Sequence, residues 1–265
     1  MADYQFIQIE RRELCTTVWL NRPERHNALH AGLIHELQHS IDALSQDDTV
    51  RTVMLAGRGE SFCAGGDLEW MRALAAAPFD DNVEDARRLA YTMRTLSLCG
   101  KPTLARVHGA ALGGALGLIG ACDLALASRT AVFGATETRL GLTPSTVAPY
   151  VVAAIGERAA RRLFLTGERF DAAEAQRLGL VHEAVDAPLL DQRVDAVLVE
   201  LAQGGPQAQA HCKWLLNELR GRDPSVQNLQ GLEESARSLA NVRAGSEARE
   251  GIAAFFEHRK PSWAP

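Results

Sequence analysis

The sequence predicts an α/β fold, and three observations carry that prediction. Strand and helix patterns alternate through the first half of the chain. "RTVMLAG" (51–57) has the length and apolar run of a buried strand. A unit of strand, small-residue loop and helix occurs twice, around "GRGESFCAGGDLEWM" (57–71) and in "TLARVHGAALGGALGLIGAC" (103–122). The 265 residues suit one large domain, or one with a smaller appendage.

Taken in order, "QFIQIE" (5–10) and "CTTVWL" (15–20) read as two paired strands. "AGLIHELQHSIDAL" (31–44) reads as an amphipathic helix with Leu29, Leu33, Leu37, Ile41 and Leu44 on its apolar stripe. "DLEWMRALA" (67–75) and "VEDARRLAYTMRTLS" (83–97) are helical, and Pro102 opens the strand "TLARV" (103–107). After about residue 186 the composition shifts to nearly unbroken helical patterns, which separates a core, 1–186, from a helical region, 187–265. The apolar stripes of that region pack either on a partner subunit or on their own core.

Composition excludes several classes. A net charge of -5 without a basic stripe argues against nucleic acid and against an anionic membrane surface. The uncharged window from Gly109 to Cys122 is too short for a span, which needs about 20 apolar residues. Cys15, Cys63, Cys99, Cys122 and Cys212 are scattered and form no CxxC pair, as reduced thiols of a cytoplasmic protein do. The N-terminus is charged from Asp3 onward, so no signal peptide is expected. "HELQH" (35–39) matches a zinc-protease pattern, but at about 100° per residue His35 and His39 fall opposite the apolar stripe, on a solvated face. No metal is expected.

The glycine loops point to chemistry. Gly113, Gly114, Gly117 and Gly120 lie in or at the start of one helix, where an interior glycine costs about 1 kcal/mol relative to alanine. Two explanations stand side by side. Gly113, Gly117 and Ala121 share a face and allow close packing, or Gly113-Gly114 present bare N–H groups to a negative charge at a helix start. "CAGGD" (63–67) repeats the design, and two such donors converging on one oxygen make an oxyanion hole. No G-K-[ST], GxGxxG or G-x-S-x-G follows. Glu137 in "FGATETRLGLTPS" is flanked by small and apolar residues. Its carboxylate is either a proton shuttle with a raised pKa or a structural charge at a helix start.

"LNRPERHNAL" (20–29), "GRGESFCAGGDL" (57–68), "KPTLARVHGAALGGALGLIGACDLALAS" (101–128), "FGATETRLGL" (133–142) and "LTGERFDAAEAQRLGLVHEAV" (165–185) together resemble the crotonase family of enoyl-CoA hydratases and isomerases, in order and spacing, over nearly the whole chain. The resemblance implies a spiral of ββα turns followed by a helical region that builds trimers, or dimers of trimers. It implies an acyl-CoA thioester as substrate, with no cofactor beyond the coenzyme A that the substrate carries. It places the oxyanion hole at the N–H groups of Gly66 and Gly114, and acid–base work at Glu137. Ala28 and the loop Ala64, Gly66, Asp67 and Leu68 would line the CoA path, and Phe256 and Lys260 would approach its adenine.

One departure stands out. Family hydratases carry a first glutamate where this chain has Gly117. Three readings follow: an isomerase working with one glutamate, a hydratase of 3-substituted glutaconyl-CoA esters, or a CoA-ester scaffold without chemistry. "GGALGL…CD" and "ETRLGLTPSTVAPYVVAAIGERAARR" resemble the bacterial methylglutaconyl-CoA and isohexenylglutaconyl-CoA hydratases of leucine and acyclic-terpene breakdown, which favours the second. On that reading Gly117 leaves a space that receives part of the substrate.

Overall fold

Each turn of the chain lays one long strand into a large sheet and a short extended segment into a small one. This is seen in a computed structural model that describes residues 4–219 and 229–265. The strands are β1 (Ile7–Arg11), β2 (Thr16–Leu20), β3 (Val53–Gly57), β4 (Thr103–Val107), β5 (Ala110–Leu112), β6 (Leu124–Ser128), β7 (Val132–Gly134), β8 (Arg169–Asp171) and β9 (Glu183–Val185). The helices are α1 (Ala31–Gln46), α2 (Leu68–Ala75), α3 (Phe79–Ser97), α4 (Gly114–Ala121), α5 (Ala148–Thr166), α6 (Ala172–Leu178), α7 (Leu190–Gln203), α8 (Pro206–Leu219), α9 (Leu229–Ala244) and α10 (Ser246–Phe256).

The large sheet runs β1-β2-β3-β4-β6-β9, parallel except for the β1–β2 pair. Its central strands are buried on both faces, which is why "VMLAG" carries no alternation. The small sheet is β5-β7-β8. Two bridges extend it: Cys63 pairs with Ala111, and Leu29 with Gly66. After β2, β3, β4 and β6 the chain therefore contributes in turn residues 29, 63–66, β5 and β7 to this second layer, and this is the expected ββα spiral.

Between the layers lies the main core, with Leu33, Leu37, Ile41, Leu55, Phe62, Met93 and Phe133 fully buried. The predicted stripe of α1 is all buried. α3 starts at Phe79, earlier than its apolar pattern suggests, because Pro78 precedes it and Asp80 and Asp81 suit a helix N-terminus. Glu36 of "HELQH" accepts the backbone N–H groups of Gln5, Phe6 and Ile7, and His39 Nδ1 meets the Tyr4 hydroxyl at 3.2 Å. That motif ties the N-terminal strand to α1. Among the described residues no helix is long and apolar enough to cross a membrane.

The shift near residue 186 marks a change of element type, but α7 packs Leu190, Val194 and Leu198 on the outer face of the large sheet against Met54, Leu104 and Leu126. Two cations hold the rest of the helical region to the core. Lys213 pairs with Asp123 at 2.6 Å and donates to the Lys101 carbonyl. Arg51 donates to the Trp263 carbonyl and to those of Ala202 and Gly204, at the end of α7. Residues 220–228 of the predicted helical region lie outside the described residues.

His30 caps α1 by accepting the N–H groups of Gly32 and Leu33 on Nδ1, which requires a neutral ring. Burial, and after it the Arg22 guanidinium, hold its pKa below the ordinary 6.5. The folded state thus resists the proton that the unfolded state accepts, and the cap's stability is present above that value and lost as pH falls through it. His30→Asn keeps a cap without titrating. Urea unfolding at about pH 7.5 and about pH 5.5 is expected to show less acid destabilisation in His30→Asn than in the wild type. Equal losses in both proteins contradict this.

Candidate active site

The two glycine loops end side by side because their strands do. Cys63 N donates to the Ala110 carbonyl and Leu112 N to the Cys63 carbonyl, so 63–65 and 110–113 run together. Gly65 (φ +95°) and Gly113 (φ +53°) both need left-handed backbone. The loops also touch: a β-carbon on Gly65 would come 3.0 Å from the Leu112 carbonyl oxygen, tighter than a side chain ordinarily allows, and one on Gly113 would make van der Waals contact with the Gly65 Cα at 3.6 Å.

The N–H groups of the next residues, Gly66 and Gly114, meet no acceptor among the described residues. Gly114 is the first residue of α4, whose opening N–H groups have no partner within the helix. Both residues are partly exposed. Two free donors on touching loops, one at a helix start, form a place where an oxyanion can be held.

Glu137 lies beside them, in a short 3₁₀ turn, Thr136–Leu140, that follows β7. Gly113 N donates to the Gly134 carbonyl, which draws this turn to the loop. A β-carbon on Gly113 would stand 3.1 Å from Glu137 Oε1. Glu137 Oε2 is buried without a hydrogen-bond partner. Burial raises its pKa, opposed only by a hydrogen bond to its own backbone N–H. A carboxyl of that kind exchanges a proton more readily near neutrality than an ordinary glutamate does. Cys63, fully buried, has its thiol pushed up to about 12, so it is no nucleophile at neutral pH.

The other residues named from the sequence divide into two groups. Ala28 and Ala64 lie at the loops: Ala64 N donates to the His26 carbonyl, Leu29 N to the Gly65 carbonyl and Asp67 N to the Leu29 carbonyl. Leu68 is 69 % exposed at the start of α2. The carboxylate of Asp67 is turned inward. Its Oδ1 caps α2 at Glu69 N and Trp70 N, and its Oδ2 takes Arg22. Burial works to raise its pKa, but these donors hold it below the usual range. Phe256 and Lys260 are not brought to the loops by any described contact. Phe256 is 75 % exposed, and Lys260 donates to the Pro265 carbonyl.

Gly117 does not open a space. A β-carbon there would lie 2.5 Å from both Cβ and Cγ1 of Val147 and 3.3 Å from Met93 Cε. Val147 is only 3 % exposed. The room that a side chain on Gly117 would need is thus filled from the segment before α5, and the expectation that substrate enters it is corrected. Gly120 likewise lies under the backbone of α5: a β-carbon there would come 2.9 Å from the Tyr150 carbonyl oxygen. Of the two explanations, close packing holds at Gly117, and Gly120, outside the predicted face, also admits α5. Sequence reasoning missed Arg22, Asn27 and Val147. "RPERHN" carried a signal for Asn27, since asparagine is among the residues that tolerate the left-handed backbone found there. Arg22 and Val147 carried none.

The chain matches the enoyl-CoA hydratase/isomerase family over residues 10–265. It is 32% identical over 246 residues to enoyl-CoA hydratase AKT6-1 of Alternaria alternata, covering 92% of this chain and 78% of the relative. A crystal structure of an enoyl-CoA hydratase from Shewanella pealeana superposes with a TM-score of 0.93 at 36% identity, covering 98% of this chain and 96% of that one. Pseudomonas aeruginosa AtuE superposes with a TM-score of 0.92 at 37% identity, covering 98% of this chain and 100% of that one.

Gly117→Ala is expected to destabilise by about 1–3 kcal/mol through overpacking. With Val147→Gly in the same chain the two costs should fall short of additive by about 1 kcal/mol or more in a urea double-mutant cycle. Strict additivity contradicts the contact.

Proposed function

The chain belongs to the enoyl-CoA hydratase/isomerase family, and from that premise we propose that it hydrates a 3-branched glutaconyl-type enoyl-CoA, with Glu137 as its one acid–base carboxylate. It is an enoyl-CoA hydratase acting on a CoA thioester. The observation that carries the residue assignment is the buried, unpartnered Oε2 of Glu137 beside Gly113, the residue before the free Gly114 amide.

The thioester oxygen sits between the N–H groups of Gly66 and Gly114, which draws electron density from C3. The Glu137 carboxylate takes a proton from water as the oxygen bonds to C3. The π electrons move into an enolate whose oxygen the two amides hold. The same carboxyl then returns its proton to C2, so one water is added and Glu137 is regenerated. A raised pKa suits a group that must keep the proton between the two steps.

Two points support the branched glutaconyl substrate. The runs around Gly117 and Glu137 resemble hydratases of such esters. α4 carries no acidic residue, and a glutaconyl ester brings a distal carboxylate of its own that can orient the attacking water. A single carboxylate also serves double-bond isomerisation, by moving one proton between carbons, and this is the second reading. We further assign the exposed Trp214, Leu216, Phe255 and Phe256 to contacts with further copies of the chain, in a trimer or a dimer of trimers.

Glu137→Gln should lower kcat by about 10²–10⁴-fold while acyl-CoA binding persists. Retention of more than about a tenth of the wild-type kcat contradicts the assignment. Since the base must be ionised, the wild-type kcat/KM should fall as pH drops through a value above the ordinary 4.5. In a panel of acyl-CoAs, 3-methylglutaconyl-CoA and longer-branched homologues should gain the mass of one water faster than crotonyl-CoA. The reverse order contradicts the substrate class, and conversion without mass gain identifies the isomerase.

A further inference from the structure

We infer that Arg22 and Asp67 are positioning residues for the oxyanion hole, an inference that rests on the reading of Gly66 and Gly114 given above. The Gly66 amide lies between two backbone hydrogen bonds, Leu29 N to the Gly65 carbonyl at 2.7 Å and Asp67 N to the Leu29 carbonyl at 2.8 Å. Both run to Leu29. Where the free N–H of Gly66 points is therefore set by where the segment at Ala28 and Leu29 lies.

That segment leaves a strained bend. His26 (φ 48°) and Asn27 (φ 56°) are consecutive non-glycine residues in the left-handed region, a conformation kept only where surroundings enforce it. The buried Asn27 side chain fixes the inside of the bend, accepting from Arg22 N and donating to the carbonyls of Arg58 and Ser61, each at 2.8 Å. The Arg22 side chain fixes its exit. Nη1 donates to the Ala28 carbonyl at 2.7 Å, and Nη2 reaches Asp67 Oδ2 at 3.1 Å.

One guanidinium thus joins the residue before Leu29 to the residue after Gly66, and the ring closes through Asp67 N and the Leu29 carbonyl. The Gly66 amide lies in the adjoining ring, closed by the bonds from Leu29 N to the Gly65 carbonyl and from Asp67 N to the Leu29 carbonyl, and the two rings share that second bond. Asp67 Oδ1 caps α2 at the same time, so the helix start moves with the loop. The pair is largely out of water, with side-chain exposures of 14% and 11%, where an ion pair is screened far less than on the surface. Lysine could replace the charge but not the fork that spans two acceptors. Neither side chain needs to touch the substrate. Both act through the direction of one N–H, and a misplacement of about 1 Å at a catalytic group costs about 10²-fold in rate.

The test reads the hole itself. 2,4-Hexadienoyl-CoA absorbs further to the red when its thioester oxygen is polarised by hydrogen bonds. Its bound spectrum is recorded in a Glu137→Gln background, with Arg22 intact and with Arg22→Lys, Arg22→Met or Asp67→Asn. Kinetics are measured for the same three changes in the otherwise wild-type protein. With Arg22 and Asp67 intact the band shifts. In the variants the shift shrinks, kcat falls about 10²-fold, and KM stays within about threefold. A merely stabilising pair would lower the melting temperature and leave the bound spectrum unchanged. If Arg22→Met does not fold, Arg22→Lys and Asp67→Asn carry the test. A full shift in those two, with kcat within about threefold of wild type, overturns the inference. Absence of any shift while Arg22 and Asp67 are intact overturns instead the hole on which it rests.

Discussion

Everything at the site depends on two backbone N–H groups left without partners on loops that touch. Buried amides ordinarily find acceptors, because an unmade bond costs about 1–3 kcal/mol. Gly66 and Gly114 escape that cost by being partly open to solvent, while the residues just before them are locked. Gly65 and Gly113 face each other in left-handed backbone, and the bridges at Cys63–Ala111 and Leu29–Gly66 fix the register of both loops. A side chain on Gly65 would press on the Leu112 carbonyl, and one on Gly113 would press on the Glu137 carboxylate. Cys63, Ala64 and Asp67 on one loop and Leu112 and Gly113 on the other are paired through their N–H groups, which holds the two free amides in place.

The same arrangement explains Glu137. Its turn is drawn in by the hydrogen bond from Gly113 N to the Gly134 carbonyl, so one residue both shapes the loop and draws in the carboxylate. Leaving Oε2 buried without a partner is destabilising, and the fold offsets it elsewhere. The interdigitated core between the two sheets, α7 on the outer face and the Lys213–Asp123 pair supply rigidity away from the reacting atoms. Beyond α7, which buries its apolar face on the large sheet, the helical region is held to the core by Lys213 and Arg51, and Trp214, Leu216, Phe255 and Phe256 stay exposed.

Much of the fold was legible in the sequence because it follows from periodicity. The α1 stripe, the buried run of β3 and the repeated strand–loop–helix unit each obey a local rule. The glycine loops were legible as a pair of helix-start donors, and Glu137 as the one carboxylate in an apolar setting near them. The reading of Gly117 went wrong where local rules end. A glycine in place of a glutamate suggests a hole, yet Val147, distant in sequence, lies against it. Arg22 likewise looks like one more charge before a proline. Only the path of the chain brings its two nitrogens to Ala28 and Asp67. The "HELQH" match shows the reverse: a motif with a known use whose glutamate here holds a strand to a helix.

The account's central claim is that one thioester oxygen is shared by two loops opposite one carboxylate. The most direct measurement is a crystal structure of Glu137→Gln with an unreacted enoyl-CoA bound. The account predicts that the thioester oxygen lies about 2.7–3.1 Å from both Gly66 N and Gly114 N, with the residue 137 side chain next to C2 and C3. A thioester oxygen that meets neither amide, or a residue 137 side chain turned away from the double bond, contradicts it.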